Sequence, residues 1–76
     1  MVHAFIMVKT AAGKSEGLLA EINGLESVAD AHIVAGNYDI IAEVDVPEIY
    51  DVLQAVSSSM QGLDGVTNTK TYIAMG

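Results

Sequence analysis

Along this chain the hydrophobic positions switch between a period of two and a period of three to four, and the switches divide it into six elements. Val2-His3-Ala4-Phe5-Ile6-Met7-Val8 is apolar on both alternating faces, which predicts a strand buried on both sides of its sheet. Thr10 to Gly13 reads as a loop. A short helix follows from about Lys14 to Asn23, with Leu18, Leu19, Ile22 and Leu25 at 3–4 spacing and Gly24 as its C-cap. Val28 to Ala35 returns to the strand period. Gly36 and Asn37 both tolerate positive φ and predict a two-residue hairpin turn. The strand after that turn sets Ile40, Ala42, Val44 and Val46 on one face and Asp39, Ile41, Glu43 and Asp45 on the other. A second helix is signalled by Asp45 as N-cap, Pro47 in the first turn and Glu48 at the capping-box position. Its apolar face is Ile49, Val52, Leu53, Val56 and Met60, and Gly62 ends it. After a Leu63-Asp64-Gly65 turn, Val66 to Met75 reads as a last strand rich in threonine.

The order β-α-β-β-α-β fills residues 1–76 as one domain without linker, repeat or low-complexity tract. It predicts an α+β, ferredoxin-like fold: a four-stranded antiparallel sheet with two helices on one face. The opposite sheet face, which includes His3, Phe5 and Met7, then needs a partner, and pairing of two sheet faces in a dimer supplies one. Composition points the same way. In a chain of 76 residues, 51% are hydrophobic and no cysteine is available to reinforce a small core. Burial between subunits is the simplest remedy, so a homo-oligomer is expected.

Charge narrows the partners. Ten acidic residues against three lysines and no arginine give a net charge of −7, which argues against direct nucleic-acid binding. The acidity reads either as a solvated surface or as adaptation to high salt. No basic-then-apolar leader and no run of about 20 apolar residues is present, so the reading is a cytoplasmic protein without membrane contact.

Few residues carry chemistry. Soft-metal carriage on a Cys-x-x-Cys loop is excluded, as are phosphate binding on a glycine-rich loop and base stacking on basic, aromatic strands. His3 and His32 lie on separate strands, and their spacing defines no ligand set, so strand or interface hydrogen bonding accounts for them; no cofactor and no metal is expected. Glu43, Asp45 and Glu48 read as solvated or capping carboxylates. Tyr72 reads as packing or pocket lining. Asp39, just after the turn, reads in two ways: a carboxylate that accepts backbone N–H groups near Gly36, or one that recognises a ligand's ammonium group or orders a ligand-binding loop.

Three stretches together are more specific than any single residue: Val34-Ala35-Gly36-Asn37-Tyr38-Asp39-Ile40-Ile41, Gly62-Leu63-Asp64-Gly65-Val66, and Thr69-Lys70-Thr71-Tyr72-Ile73-Ala74-Met75. In register on this element order, they resemble the effector domain of Lrp/AsnC transcriptional regulators, with its Gly-x-Tyr/Phe-Asp turn, its Pro-Gly-Val-like turn and its final Thr-x-Thr strand. The resemblance covers essentially the whole chain. It implies a regulation-of-amino-acid-metabolism (RAM) domain, non-catalytic, which binds an amino acid and assembles as dimers and then rings. Carried over by position, the implied ligand-binding residues are Ile33, Gly36, Asn37, Tyr38, Asp39, Ile49, Tyr72, Ile73 and Ala74, at a junction between dimers. Family members usually carry a helix-turn-helix domain ahead of this one, whereas this chain starts on the first strand. The implied role is therefore to modulate full-length Lrp/AsnC regulators rather than to bind DNA. The position of Asn37 is often acidic in the family, so the pocket's electrostatics differ here. Two other readings share the topology. One is a small dimeric α/β-barrel enzyme of monooxygenase type, using His3, His32 and Tyr72. The other is a structural assembly partner without a ligand. An ACT-type amino-acid module also has the same strand order.

Overall fold

The computed structural model describes all 76 residues. Its elements are β1 (Val2–Thr10), α1 (Ser15–Asn23), β2 (Val28–Ile33), β3 (Ile40–Val46), α2 (Ile49–Gln54), which runs on as a π-helical stretch (Ala55–Met60), and β4 (Val66–Ile73). The four strands form one antiparallel sheet in the order β2-β3-β1-β4. This is the ferredoxin-like arrangement that the element order predicts.

The period-two pattern of the central strands places the core. Ala4, Ile6 and Val8 of β1 and Ile40, Ala42, Val44 and Val46 of β3 point to one side, with Ala31 of β2 beside them. Leu18 and Ile22 of α1 and Val52, Val56 and Met60 of the second helix close over them. No polar or charged residue is buried, so the side chains of the core contribute by removing apolar area from water. The expectation that β1 is buried on both sides holds for only one side of the single chain. His3, Phe5 and Met7 remain partly exposed because both helices lie on the other face.

The hairpin differs from the expected tight turn in an informative way. Ile33 pairs with Ile40, His32 with Ile41 and Ala31 with Ala42, which is the register that a two-residue turn at Gly36-Asn37 would set. The ladder nevertheless ends early: β2 stops at Ile33 rather than Ala35, β3 starts at Ile40, and no residue between them has positive φ. The Val34 amide still donates to the Asp39 carbonyl at 2.9 Å, so residues 34–39 form a closed six-residue loop. Side-chain bonds to β1 hold it open. Lys9 Nζ donates to the Asn37 carbonyl at 2.8 Å, and the Asp39 carboxylate is engaged by Thr10.

Smaller differences follow from the same kind of competition. Glu48, not Asp45, is the N-cap of α2, and its amide donates to Asp51 Oδ2 at 3.2 Å. Asp45 instead stays in β3, hydrogen-bonded to His3. The apolar face of this helix is narrower than its spacing suggests, because Ile49 and Leu53 are 57% and 59% exposed. Within the serine run the helix widens, with the Gln61 amide reaching the Val56 carbonyl five residues back. Ser57 Oγ donates to the Leu53 carbonyl at 2.7 Å, the acceptor that an α-helix would offer to the Ser57 amide. Gly24 caps α1 with φ −80°, so its left-handed freedom is not used. The last strand ends at Ile73, short of Met75.

Gly65, by contrast, is required where it stands. Its φ is +98°, and a Cβ there would sit 3.2 Å from the Lys14 and Leu18 side chains. Its carbonyl accepts the Ala11 amide at 2.8 Å, tying the start of β4 to the loop before α1. A Gly65→Ala variant should lose about 1–2 kcal/mol, read as a thermal midpoint lower by roughly 4–8 °C per kcal/mol. An unchanged melting curve would mean the turn relaxes freely.

Candidate functional site

Of four concave regions, the two largest are the candidates for a ligand. A groove of about 460 Å³ beside the second helix is lined by Glu26, Ser27, Val46, Asp51, Gln54, Ala55, Ser58 and Ser59. With two carboxylates, no cation and only Val46 and Ala55 as apolar lining, it offers little to a small organic acid. The second, about 410 Å³, lies on the open sheet face beneath the 34–39 loop and is lined by Met7, Val34, Ala35, Gly36, Asn37, Tyr38, Ile41, Lys70 and Tyr72.

The strand register explains why those side chains meet. On the open face His32, Ile41, Met7 and Lys70 form one row across the four strands, and Asp30, Glu43, Phe5 and Tyr72 form the next. Met7 and Ile41 are the floor, Lys70 and Tyr72 the β4 wall, and the loop residues Val34 to Tyr38 the rim. Lys70 Nζ stands 5.7 Å from the centre of the Tyr72 ring and is the only charged group lining the cavity. The backbone N–H groups of Ala35, Gly36, Asn37 and Tyr38 donate to no protein group. A cation and free amides beside an apolar floor can hold a carboxylate with a hydrophobic tail.

Of the residues expected from sequence, Gly36, Asn37, Tyr38 and Tyr72 are brought together here. Asp39 is adjacent but faces away: Oδ2 accepts the Thr10 amide at 2.8 Å and the Thr10 hydroxyl at 3.2 Å. Thr10 Oγ1 in turn lies 2.8 Å from Ser15 Oγ at the start of α1. The β1–β4 register shifts at Lys9/Thr10, and Asp39 takes the Thr10 amide at that bulge. Its geometry is therefore that of an anchor for the loop. The carboxyl is held below its usual range by the Thr10 amide first, then the Thr10 hydroxyl and the nearby Lys9 charge, against some desolvation.

Ile33, Ile49, Ile73 and Ala74 do not reach this cavity within one chain. Ile33 precedes the loop and is 45% exposed. Ile49 starts α2, while Ile73 and Ala74 lie at the opposite end of the sheet, where the Ala74 amide donates to the His3 carbonyl at 2.8 Å. The sequence reading missed Val34 and Ala35 on the rim, and Met7, Ile41 and Lys70 on the strands, as lining residues. The signal for the strand residues was present in the alternation itself, because Lys70 is two residues from Tyr72 and so shares its face.

Comparison with known proteins gives a result consistent with this fold. The profile of the Lrp/AsnC ligand binding domain matches residues 3–76. The chain belongs to this family. Among curated relatives, the leucine-responsive regulatory protein of Salmonella typhimurium is 29% identical over 56 residues, which is 74% of this chain and 34% of that protein. This Lrp/AsnC domain therefore spans about a third of the length of the curated regulators it matches. Among solved structures, TTHA0845 from Thermus thermophilus superposes with a TM-score of 0.96 at 28% identity, covering 100% of this chain and 95% of that one. Escherichia coli AsnC superposes with a TM-score of 0.91 at 25% identity, covering 99% of this chain and 51% of that one. No helix is long and apolar enough to cross a membrane.

The anchoring role of Asp39 has a pH signature. Because its folded pKa is depressed below 3.8, its stabilising contribution is present above that value and is lost as pH falls through the lower folded pKa. Asp39→Asn should therefore lower the melting temperature at neutral pH and flatten its decline in the strongly acidic range. A variant whose acid limb matches the wild type would remove this role.

Proposed function

We propose that this Lrp/AsnC domain is a non-catalytic, oligomeric sensor that binds an amino acid at the cavity beneath the 34–39 loop. The observation that carries the reading is the pairing of Lys70 and the free amides of Ala35 to Tyr38 with the apolar floor of Met7 and Ile41. In this reading Lys70 and the loop amides take the ligand carboxylate. Tyr38, Tyr72 and the floor receive an apolar side chain, and Asp39 positions the loop without touching the ligand. The leucine response in the relatives' name supports an aliphatic amino acid as the effector class. The cavity opens at the loop end of the sheet, and a neighbouring copy completes it with Ile33, Ile49, Ile73 or Ala74 across a subunit junction.

Assembly follows from the open face. Phe5, Met7, Ile41 and Tyr72 form an apolar patch that neither helix covers, and Tyr72 is 51% exposed in the single chain. Two copies meeting around Phe5 remove that part of the patch from water and leave the cavity over Met7 and Ile41 at the edge of the contact, and dimers then join into higher oligomers or co-assemble with regulators that carry the same domain. A ligand at a subunit junction biases whichever assembly it binds best. The protein acts on transcription through such partners rather than through contacts of this acidic domain with DNA.

Titration calorimetry with a panel of L-amino acids should find saturable binding of aliphatic members, and Lys70→Met should weaken it by about tenfold or more. Binding unchanged in Lys70→Met would displace the ligand from this cavity. Separately, Phe5→Glu puts a charge in the middle of the apolar patch and should convert the sedimenting oligomer to smaller species. An undiminished sedimentation coefficient would place the interface elsewhere.

A further inference from the structure

Beside the apolar patch, toward edge strand β2, the open face carries a second constellation that amino-acid sensing does not use, with Glu43 paired directly to Phe5. Asp30 and His32 lie two residues apart on β2 and share this face, and the register sets Glu43 of β3 directly opposite Asp30. The metal-ligating atoms of Asp30, His32 and Glu43 all lie within 4.8 Å of one another. Two carboxylates directly opposite each other on neighbouring strands repel, and no lysine pairs with either. A register shift between Val28 and Asp30 is what brings them face to face.

Each carboxylate is also oriented by its neighbours, and both Asp30 oxygens are engaged, Oδ2 by His32 Nε2, so a bound ion would take the place of the proton between them. Asp30 Oδ1 accepts the Ala31 amide at 2.9 Å, which leaves Oδ2 beside His32 Nε2 at 2.9 Å. Glu43 Oε1 faces His3 Nε2 at 3.3 Å, and the His3 ring is held from its other side by Asp45 through Nδ1. His3 and Asp45 thereby position Glu43 without joining the trio.

We infer that Asp30, His32 and Glu43 form a binding site for one divalent transition-metal ion of the zinc type, on the open sheet face beside β2. One imidazole nitrogen and two carboxylate oxygens are borderline-to-hard donors that suit such an ion, with water completing its coordination. Metal–ligand bonds of about 2.0–2.2 Å need donor atoms closer together than the present outer limit. Rotation of three partly or fully exposed side chains supplies that movement without disturbing the core. The ion neutralises the Asp30–Glu43 repulsion, and the chain's net charge of −7 favours its approach.

The test is calorimetric titration of the whole chain, stripped of metal, with Zn²⁺ and with Mg²⁺, together with NMR of the imidazole nitrogens. One Zn²⁺ should bind per chain, more tightly than Mg²⁺, with His32 Nε2 as the most shifted ring nitrogen. His32→Gln and Glu43→Gln should each weaken zinc by about 100-fold, and His3→Gln by about tenfold through loss of the group that orients Glu43. In the single chain His32 is exposed and His3 and Glu43 are partly exposed beside Phe5, so circular dichroism and sedimentation check that each variant keeps its fold and assembly. Three results would each overturn the assignment: no zinc bound by the wild type, zinc affinity unaffected in His32→Gln, or binding lost in His3→Gln but kept in His32→Gln.

Discussion

Everything in this domain depends on burying one face of a four-stranded sheet while leaving the other bare. Strand geometry sends successive side chains to opposite faces, so Ala4, Ile6 and Val8 can enter the core only if His3, Phe5 and Met7 leave it. The two helices are just long enough to cover one side. The six elements place no third layer on the other side, and that single asymmetry leaves both the cavity and the apolar patch exposed in the single chain.

The open face is divided between two chemistries. Ile41, Met7, Phe5 and Tyr72 make a continuous apolar region, bordered by Lys70 and the 34–39 loop, while Asp30, His32, Glu43, Asp45 and His3 gather on the β2 and β3 side. The first region leaves apolar area in water, whereas the charges of the second would be costly to bury without compensation. The edge strand β2 carries Asp30 and His32, which also guards an exposed sheet edge against unspecific pairing.

The loop between β2 and β3 illustrates how local preference yields to longer-range bonds. Gly36 and Asn37 suit a two-residue turn, and the strand register is the one such a turn would set. The last rungs are nevertheless given up because Lys9 takes the Asn37 carbonyl and Thr10 takes the Asp39 carboxylate. Those two contacts convert a compact turn into a rim with four free amides. Asp39 thus shapes the loop by binding Thr10 of β1, not the backbone N–H groups near Gly36.

How much was legible follows from the range of each interaction. Period-two and period-3.6 patterns are set by residues adjacent in the chain, so the element order, the antiparallel sheet and the core-facing residues of β3 could all be read directly. The motif around Gly36, Tyr38 and Asp39 likewise identified the family and part of the cavity. Other features required the strands to be brought side by side. Lys70 and Met7 became neighbours only through the β1–β4 register, and Glu43 joined Asp30 and His32 only through β2–β3 pairing after a register shift. The true cap of α2 and its narrow buried face were also settled by packing, because Asp45 found His3 across the sheet instead of a helix end. Sequence periodicity specifies which face a side chain takes; which side chains share that face across strands is fixed by register, a long-range property of the folded sheet.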